Sequence, residues 1–199
     1  ESLARLHAID PASVSVPLRR HEYDGPPAVA ALKSLRAAVD ALPQRRPALE
    51  LGLKWLERHL PDPPERETIV HSDTRNGNII VGEDGLRAVL DWEGTLASGD
   101  PMQDLAWPAL RMWRFRNDDK EIGGFAGREP YIEGYESAGG TFHEERFHWW
   151  KVEGTARWAV GLAGQTMAFL EGRVPSIVMA ASGRRVPELE WDLLMLIRP

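Results

Sequence analysis

Apolar residues recur at two different periods along this chain, and the change of period locates its chemistry. Leu3, Leu6 and Ile9 fall at helical spacing, so residues 1–9 read as a helix. Residues 10–27, broken by Pro11, Pro17, Pro26 and Pro27, read as loop. Helices are predicted over 28–41, between Pro27 and Pro43, and over 47–60. In the second of these, Leu49, Leu53, Leu56 and Leu60 line one stripe behind Pro47, and Pro61, Pro63 and Pro64 end it. The period then shortens. Thr68-Ile69-Val70, Asn78-Ile79-Ile80-Val81 and residues 86–90 read as three short strands, the last two joined by a Glu83-Asp84-Gly85 turn.

Helical spacing returns at Asp100. With Pro101 and Gln103 it supplies an N-cap, a first-turn proline and a capping-box partner for a helix running to about Phe115. A polar, glycine-containing loop over 116–127 follows, then a helix over 129–138 stopped by Gly139-Gly140. A long helix over 143–170 and a last one over 187–197 complete the pattern. The pattern predicts an α+β, mainly helical fold in one domain of 199 residues, with a small β-hairpin island and no internal repeats.

Composition changes this picture mainly by exclusion. With 24 Lys+Arg against 30 Asp+Glu, the net charge of −6 lacks the basic face that nucleic-acid phosphates require. Without cysteine there are no disulfides, no thiolate catalysis and no thiolate metal sites. No apolar run approaches the roughly 20 residues of a membrane span, and no signal peptide is present, so a cytoplasmic protein is expected. The chain opens at Glu1, inside a predicted helix and without Met, so further sequence is expected upstream.

The densest set of polar residues at strand ends is His71, Asp73, Asn78 and Asp91, in HSDTRNGN, IIVGEDGLRAVL and DWEG. The order is His-x-Asp-x4-Asn, with an Asp 13 residues after the Asn. This spacing suits Mg²⁺-dependent phosphoryl transfer. One carboxylate orients a substrate hydroxyl and accepts its proton; a second carboxylate and an amide oxygen hold hard cations on the phosphates. Asp73 sits in a loop that Asn78 closes, and Asp91 ends a hairpin that folds back towards Asn78. The plainer alternative is a polar turn joining three strands, in which His71 and Asp73 only satisfy backbone groups.

These residues, with Gly99-Asp100-Pro101 and Asp104-Leu105-Ala106, resemble the C-terminal lobe of the aminoglycoside phosphotransferase and choline kinase-like family, small-molecule relatives of protein kinases. LARLH near the start resembles the helix that begins this lobe. The Leu-Asp-Trp-Glu wording most resembles a branch whose members include proteins fused to acyl-CoA dehydrogenases. The resemblance implies transfer of the ATP γ-phosphate to a hydroxyl of a small molecule. It makes Asp73 the catalytic base, Asn78 and Asp91 the Mg²⁺ ligands, and His71 a structural residue behind the loop. It sets Ile80 and Leu90 under the adenine, and Arg75 where protein kinases place a Lys near the γ-phosphate. Asp100 and Asp104 would cap a helix and pin the loop. Ser72 stands where the family has Gly. The glycine-rich loop and strand Lys of a nucleotide-covering N-terminal lobe are absent, so the chain is expected to be that C-terminal lobe only.

Two rivals have different signatures. A degenerate, non-catalytic lobe would keep the fold alone. A metal-dependent hydrolase would bind its metal through His71, Asp73 and Asp91. His143 and His148 do not form a zinc-protease helix, because five residues of separation puts them on different faces. Trp149, Trp150, Trp158 and Phe169 read as core, with an aromatic wall for the acceptor as the alternative.

Overall fold

The helices follow the apolar stripes closely. They are α1 (Ser2–His7), α2 (Pro27–Asp40), α3 (Pro47–Arg58), α4 (Pro101–Ala106), α5 (Arg128–Glu136), α6 (Glu144–Leu170), α7 (Ile177–Ser182) and α8 (Val186–Ile197). The computed structural model describes residues 1–198. The 27-residue α6 is the central post, packed by α8, α7, α4, α2 and α3. Leu49, Leu53 and Leu56 of α3, Met102 and Leu105 of α4, and Leu189 and Leu193 of α8 meet Trp149 and Trp150 there, all essentially removed from water. The indole of Trp149 donates to the carbonyl of Leu56 at 3.1 Å, so this large core residue leaves no orphaned N–H. Leu60 leaves the predicted stripe: α3 stops at Arg58, His59 departs from helical dihedrals, and Leu60 is exposed. In α1 the buried positions are Ala4 and His7, whereas Leu3 and Leu6 are half-buried and Ile9 is exposed.

The β-rich region is two small sheets. Strand β1 (Thr68–Val70) pairs antiparallel with β4 (Leu96–Gly99), while β2 (Ile79–Gly82) and β3 (Gly85–Val89) form the predicted hairpin. Strand β4 is invisible to periodicity because Leu-Ala-Ser-Gly carries almost no apolar alternation. Gly99 explains one small residue. A Cβ there would lie 2.4 Å from Val70 Cγ2 and 3.0 Å from Cγ1, both on a stiff β-branched side chain. Gly99→Ala is therefore expected to destabilise the chain by about 1–3 kcal/mol by forcing β4 off β1. A urea midpoint equal to that of the parent would refute this.

The helix predicted to reach Phe115 ends at Ala106. Pro108 cannot donate to the carbonyl of Asp104 four residues earlier, and the chain continues as two 3₁₀ turns, Trp107–Ala109 and Arg111–Arg114. The freed Asp104 carbonyl accepts instead from Thr74 Oγ1 at 2.9 Å, which ties the broken helix to the loop after β1. The capping box is also incomplete. Asp100 Oδ1 accepts from Met102 N–H at 2.9 Å, but Gln103 Oε1 has no partner.

Candidate active site

The loop between β1 and β2 is set by one carboxylate. Asp104 is fully buried; its Oδ2 accepts from His71 N–H at 2.7 Å and its Oδ1 from Ser72 N–H at 2.6 Å. His7 of α1 reaches the same Oδ2 at 3.3 Å and Tyr135 Oη at 2.9 Å. Burial, then the Asp104 charge, pushes the Tyr135 phenol well above its usual range, so it keeps its proton. Ser72 has a positive φ of 64°. That conformation explains why glycine suits this place, and the hydrogen bond from Ser72 Oγ to Gly94 O at 2.7 Å holds it here.

This turn presents Asp73. Its Oδ2 accepts from Asn78 Nδ2 at 2.7 Å, and the same amide donates to Asp73 O at 2.9 Å. Its Oδ1 accepts from the Trp107 indole at 2.6 Å, with Arg75 Nε at 3.4 Å. Arg75 also lies 5.2 Å from the ring centre of Trp113. The carboxylate is thus oriented by two neutral donors and one cation while remaining partly open to solvent. Trp107 was missed in the sequence. Only the proline directly after it hinted that the helix would break there and turn the indole towards the loop.

His71 is fully buried and both ring nitrogens are engaged. Nδ1 accepts from Asp73 N–H at 3.2 Å, so Nε2 carries the proton and donates to Leu90 O at 2.9 Å. Trp92 covers the ring edge-on, with centroids 4.7 Å apart. No nitrogen is left for a metal, which removes the hydrolase reading.

The hairpin delivers the remaining residues. Leu90 N–H donates to Asn78 O at 2.8 Å, so Asp91 emerges one residue beyond the pair that closes the ladder. A left-handed backbone (φ 66°, ψ 59°) ends the strand there and leaves the Asp91 side chain exposed. Asn78, Ile80 and Leu90 share one hairpin face by strand alternation; Ile80 and Leu90 are 46% and 44% exposed. The opposite face, Ile79 and Val89, lines an apolar cavity with Leu3 and Leu6. Among the described residues, no three His, Asp or Glu side chains gather to hold a metal by themselves. Asn78, whose Nδ2 is committed to Asp73, has Oδ1 left to offer. Asp91, exposed at the end of the hairpin, offers a carboxylate, a second hard oxygen donor.

The sequence model of the phosphotransferase enzyme family matches residues 1–150. The chain belongs to this family. Among curated proteins, acyl-CoA dehydrogenase family member 11 of Gallus gallus is 33% identical over 112 residues, covering 54% of this chain and 14% of that protein. The Homo sapiens protein of the same name is 40% identical over 62 residues, 30% of this chain and 8% of that protein. The chain therefore spans a small part of the curated relatives it matches. Three solved structures share the fold. A candidate aminoglycoside phosphotransferase of Ralstonia eutropha superposes with TM-score 0.76 at 21% identity, over 98% of this chain and 61% of that one. A choline/ethanolamine kinase family protein of Mesorhizobium loti gives 0.61 at 15%, over 97% and 58%. Choline kinase LicA of Streptococcus pneumoniae, solved with AMP, gives 0.55 at 17%, over 96% and 60%. The family thus carries a helical-lobe α+β fold here. No helix among the described residues is long and apolar enough to cross a membrane.

Proposed function

We propose that this chain is the catalytic, C-terminal lobe of a small-molecule kinase that moves the γ-phosphoryl group of ATP onto a hydroxyl. The observation that carries the reading is Asp73, a carboxylate fixed by Asn78 and Trp107 on a loop pinned by buried Asp104. Asp73 accepts the proton of the acceptor hydroxyl as that oxygen bonds to the γ-phosphorus. The bond from phosphorus to the β,γ-bridging oxygen breaks, and ADP leaves with its electron pair. Asp73 is held by neutral donors on both oxygens, so its geometry is set before the substrate arrives. Arg75, beside Asp73, would meet the transferring phosphate oxygens. Asn78 and Asp91 would hold Mg²⁺, which when bound neutralises charge on the phosphates. Ile80 and Leu90 offer an exposed apolar face on which an adenine ring would rest. LicA, of similar fold, was solved with AMP, which supports nucleotide binding. The cytoplasm is the compartment this reading implies.

Calorimetric titration of ADP, with and without Mg²⁺, into the chain and its Asp91→Asn variant tests it. Binding that needs Mg²⁺ and weakens at least tenfold in the variant is expected. No binding in either condition would instead favour a lobe that keeps the fold without the activity.

A further inference from the structure

The Trp107 indole that orients Asp73 is seated against one face of α6. Gly154, Arg157 and Trp158 share that face, since each of the last two lies about one helical turn beyond the glycine. Gly154 makes room for the indole: a Cβ there would stand 3.2 Å from Trp107 Cε3 and 3.4 Å from Cζ3. Trp158 meets the ring edge-on, with centroids 5.9 Å apart at 88°. The Arg157 guanidinium covers the ring, its carbon 4.1 Å from the ring centre. Trp107 is buried by these contacts, yet its N–H is spent on the Asp73 carboxylate at 2.6 Å.

The same guanidinium reaches the turn that leads into Asp73. Arg157 Nη2 donates to Ser72 O at 3.4 Å, and that carbonyl belongs to the peptide plane joining Ser72 to Asp73. Every polar group of Ser72 is then engaged: its N–H by Asp104, its Oγ by Gly94 O and its carbonyl by Arg157. The Gly94 side is itself fixed, because Arg19 N–H donates to Thr95 O at 3.2 Å and Ala97 N–H donates to Arg19 O at 2.9 Å, which adds Arg19 to the edge of β4. Arg157 is anchored in turn from its own helix. Glu153 Oε1 lies 3.5 Å from Arg157 Nε, and Glu153 is buried. Burial pushes the Glu153 carboxyl up, and the Arg157 charge opposes that shift. A buried carboxyl is costly unless paired, and among the described residues Arg157 is the cation within ion-pair distance of it.

We propose that Arg157 is a positioning residue for the reaction at Asp73. It acts through Trp107 and Ser72, one of which donates to the carboxylate while the other carries the backbone into it. The cation is drawn to the electron-rich face of the indole and fixes its tilt. Its field also polarises the ring and strengthens the N–H as a donor to Asp73 Oδ1. Without the charge the indole is free to rock, and Asn78 is left as the one neutral donor that aims the carboxylate. The inference rests on the phosphotransferase reading of Asp73.

Hydrogen exchange of the indole N–H groups of this chain, followed by NMR, reads the arrangement directly. The Trp107 signal is the one missing from Trp107→Phe. Arg157→Met keeps an unbranched chain against the ring and removes the charge. Its Trp107 N–H is expected to exchange about fivefold faster than in the parent, within the range for losing a cation from an aromatic face. The Trp149 N–H, bonded to Leu56 O in the core, should not change. Arg157→Lys restores a charge over the ring and should recover part of the protection, which a residue that only filled space would not require. Equal Trp107 exchange in the parent and Arg157→Met, no recovery in Arg157→Lys, or equal acceleration at Trp149 overturns the proposal. ADP with Mg²⁺ is titrated into the same samples. Affinity for Arg157→Met within about twofold of the parent is expected, since the residue aims the base and holds no nucleotide; a loss of about tenfold would make it a binding residue and overturn the proposal as well. Unchanged exchange beside intact ADP binding overturns the role of Arg157 alone, whereas a parent that binds no ADP removes the phosphotransferase reading and this role with it.

Discussion

Asp104→Ala is expected to lower the stability of the chain by about 3–5 kcal/mol, the range for breaking a buried polar network by deleting one partner. Two buried backbone amides, those of His71 and Ser72, lose their acceptors together, and His7 loses one of its two partners. The damage is directional. Ser72 sits at φ 64°, a region that costs an L-residue on the order of 1–2 kcal/mol, and Asp104 is what holds its amide there. Release of that amide lets Ser72 relax and swings Asp73 away from Asn78 and Trp107. Urea unfolding measures the first effect, and hydrogen exchange at the amides of His71 and Ser72 measures the second. Asp104→Asn keeps one acceptor oxygen and should lose about half as much. A loss below about 1 kcal/mol for the alanine variant, with exchange protection unchanged, would show that the loop is held by other contacts.

How much of this was legible in advance depended on whether a residue acts through local pattern or through the path of the backbone. The long helix α6, the stripe of α3 and the hairpin follow from period alone, because each element buries its own face. The order His71, Asp73, Asn78, Asp91 was legible because its spacing is fixed by a loop and a hairpin of set length. Strand β4 and helix α7 were not. Leu96–Gly99 pairs through backbone to a partner nearly thirty residues away, and Ile177 and Val178 of α7 are exposed, so neither segment carries a stripe. Trp107 drew no reading of its own because its role depends on Pro108 breaking α4. The composition of LAWP gives no sign of where the indole then points. Arg19 and Gln103 were likewise invisible, because one meets β4 through main-chain bonds and the other was assigned to a capping box that does not form.

Asp73→Asn is expected to lower phosphoryl transfer about 10²–10⁴-fold, the usual contribution of a positioned general base, with nucleotide affinity changed less than about threefold. The substitution is nearly isosteric, but it removes the base and also disturbs the site. Asp73 now offers an acceptor oxygen each to Asn78 Nδ2 and Trp107 Nε1. A carboxamide has one acceptor oxygen, so one of these donors must face an N–H₂ group and is left unpaired. Trp107→Phe separates the two effects. It keeps the carboxylate and an aromatic ring under Arg157, and removes only the donor to Oδ1. Steady-state kinetics with ATP and an acceptor should show kcat reduced about tenfold for Trp107→Phe, with the KM for ATP unchanged, as befits a residue that aims the base rather than binding substrate. A kcat equal to that of the parent would mean that Asn78 alone orients Asp73. A loss as deep as that of Asp73→Asn would mean that the aim of the carboxylate, set by an indole that a single proline turns inward, matters as much as its basicity.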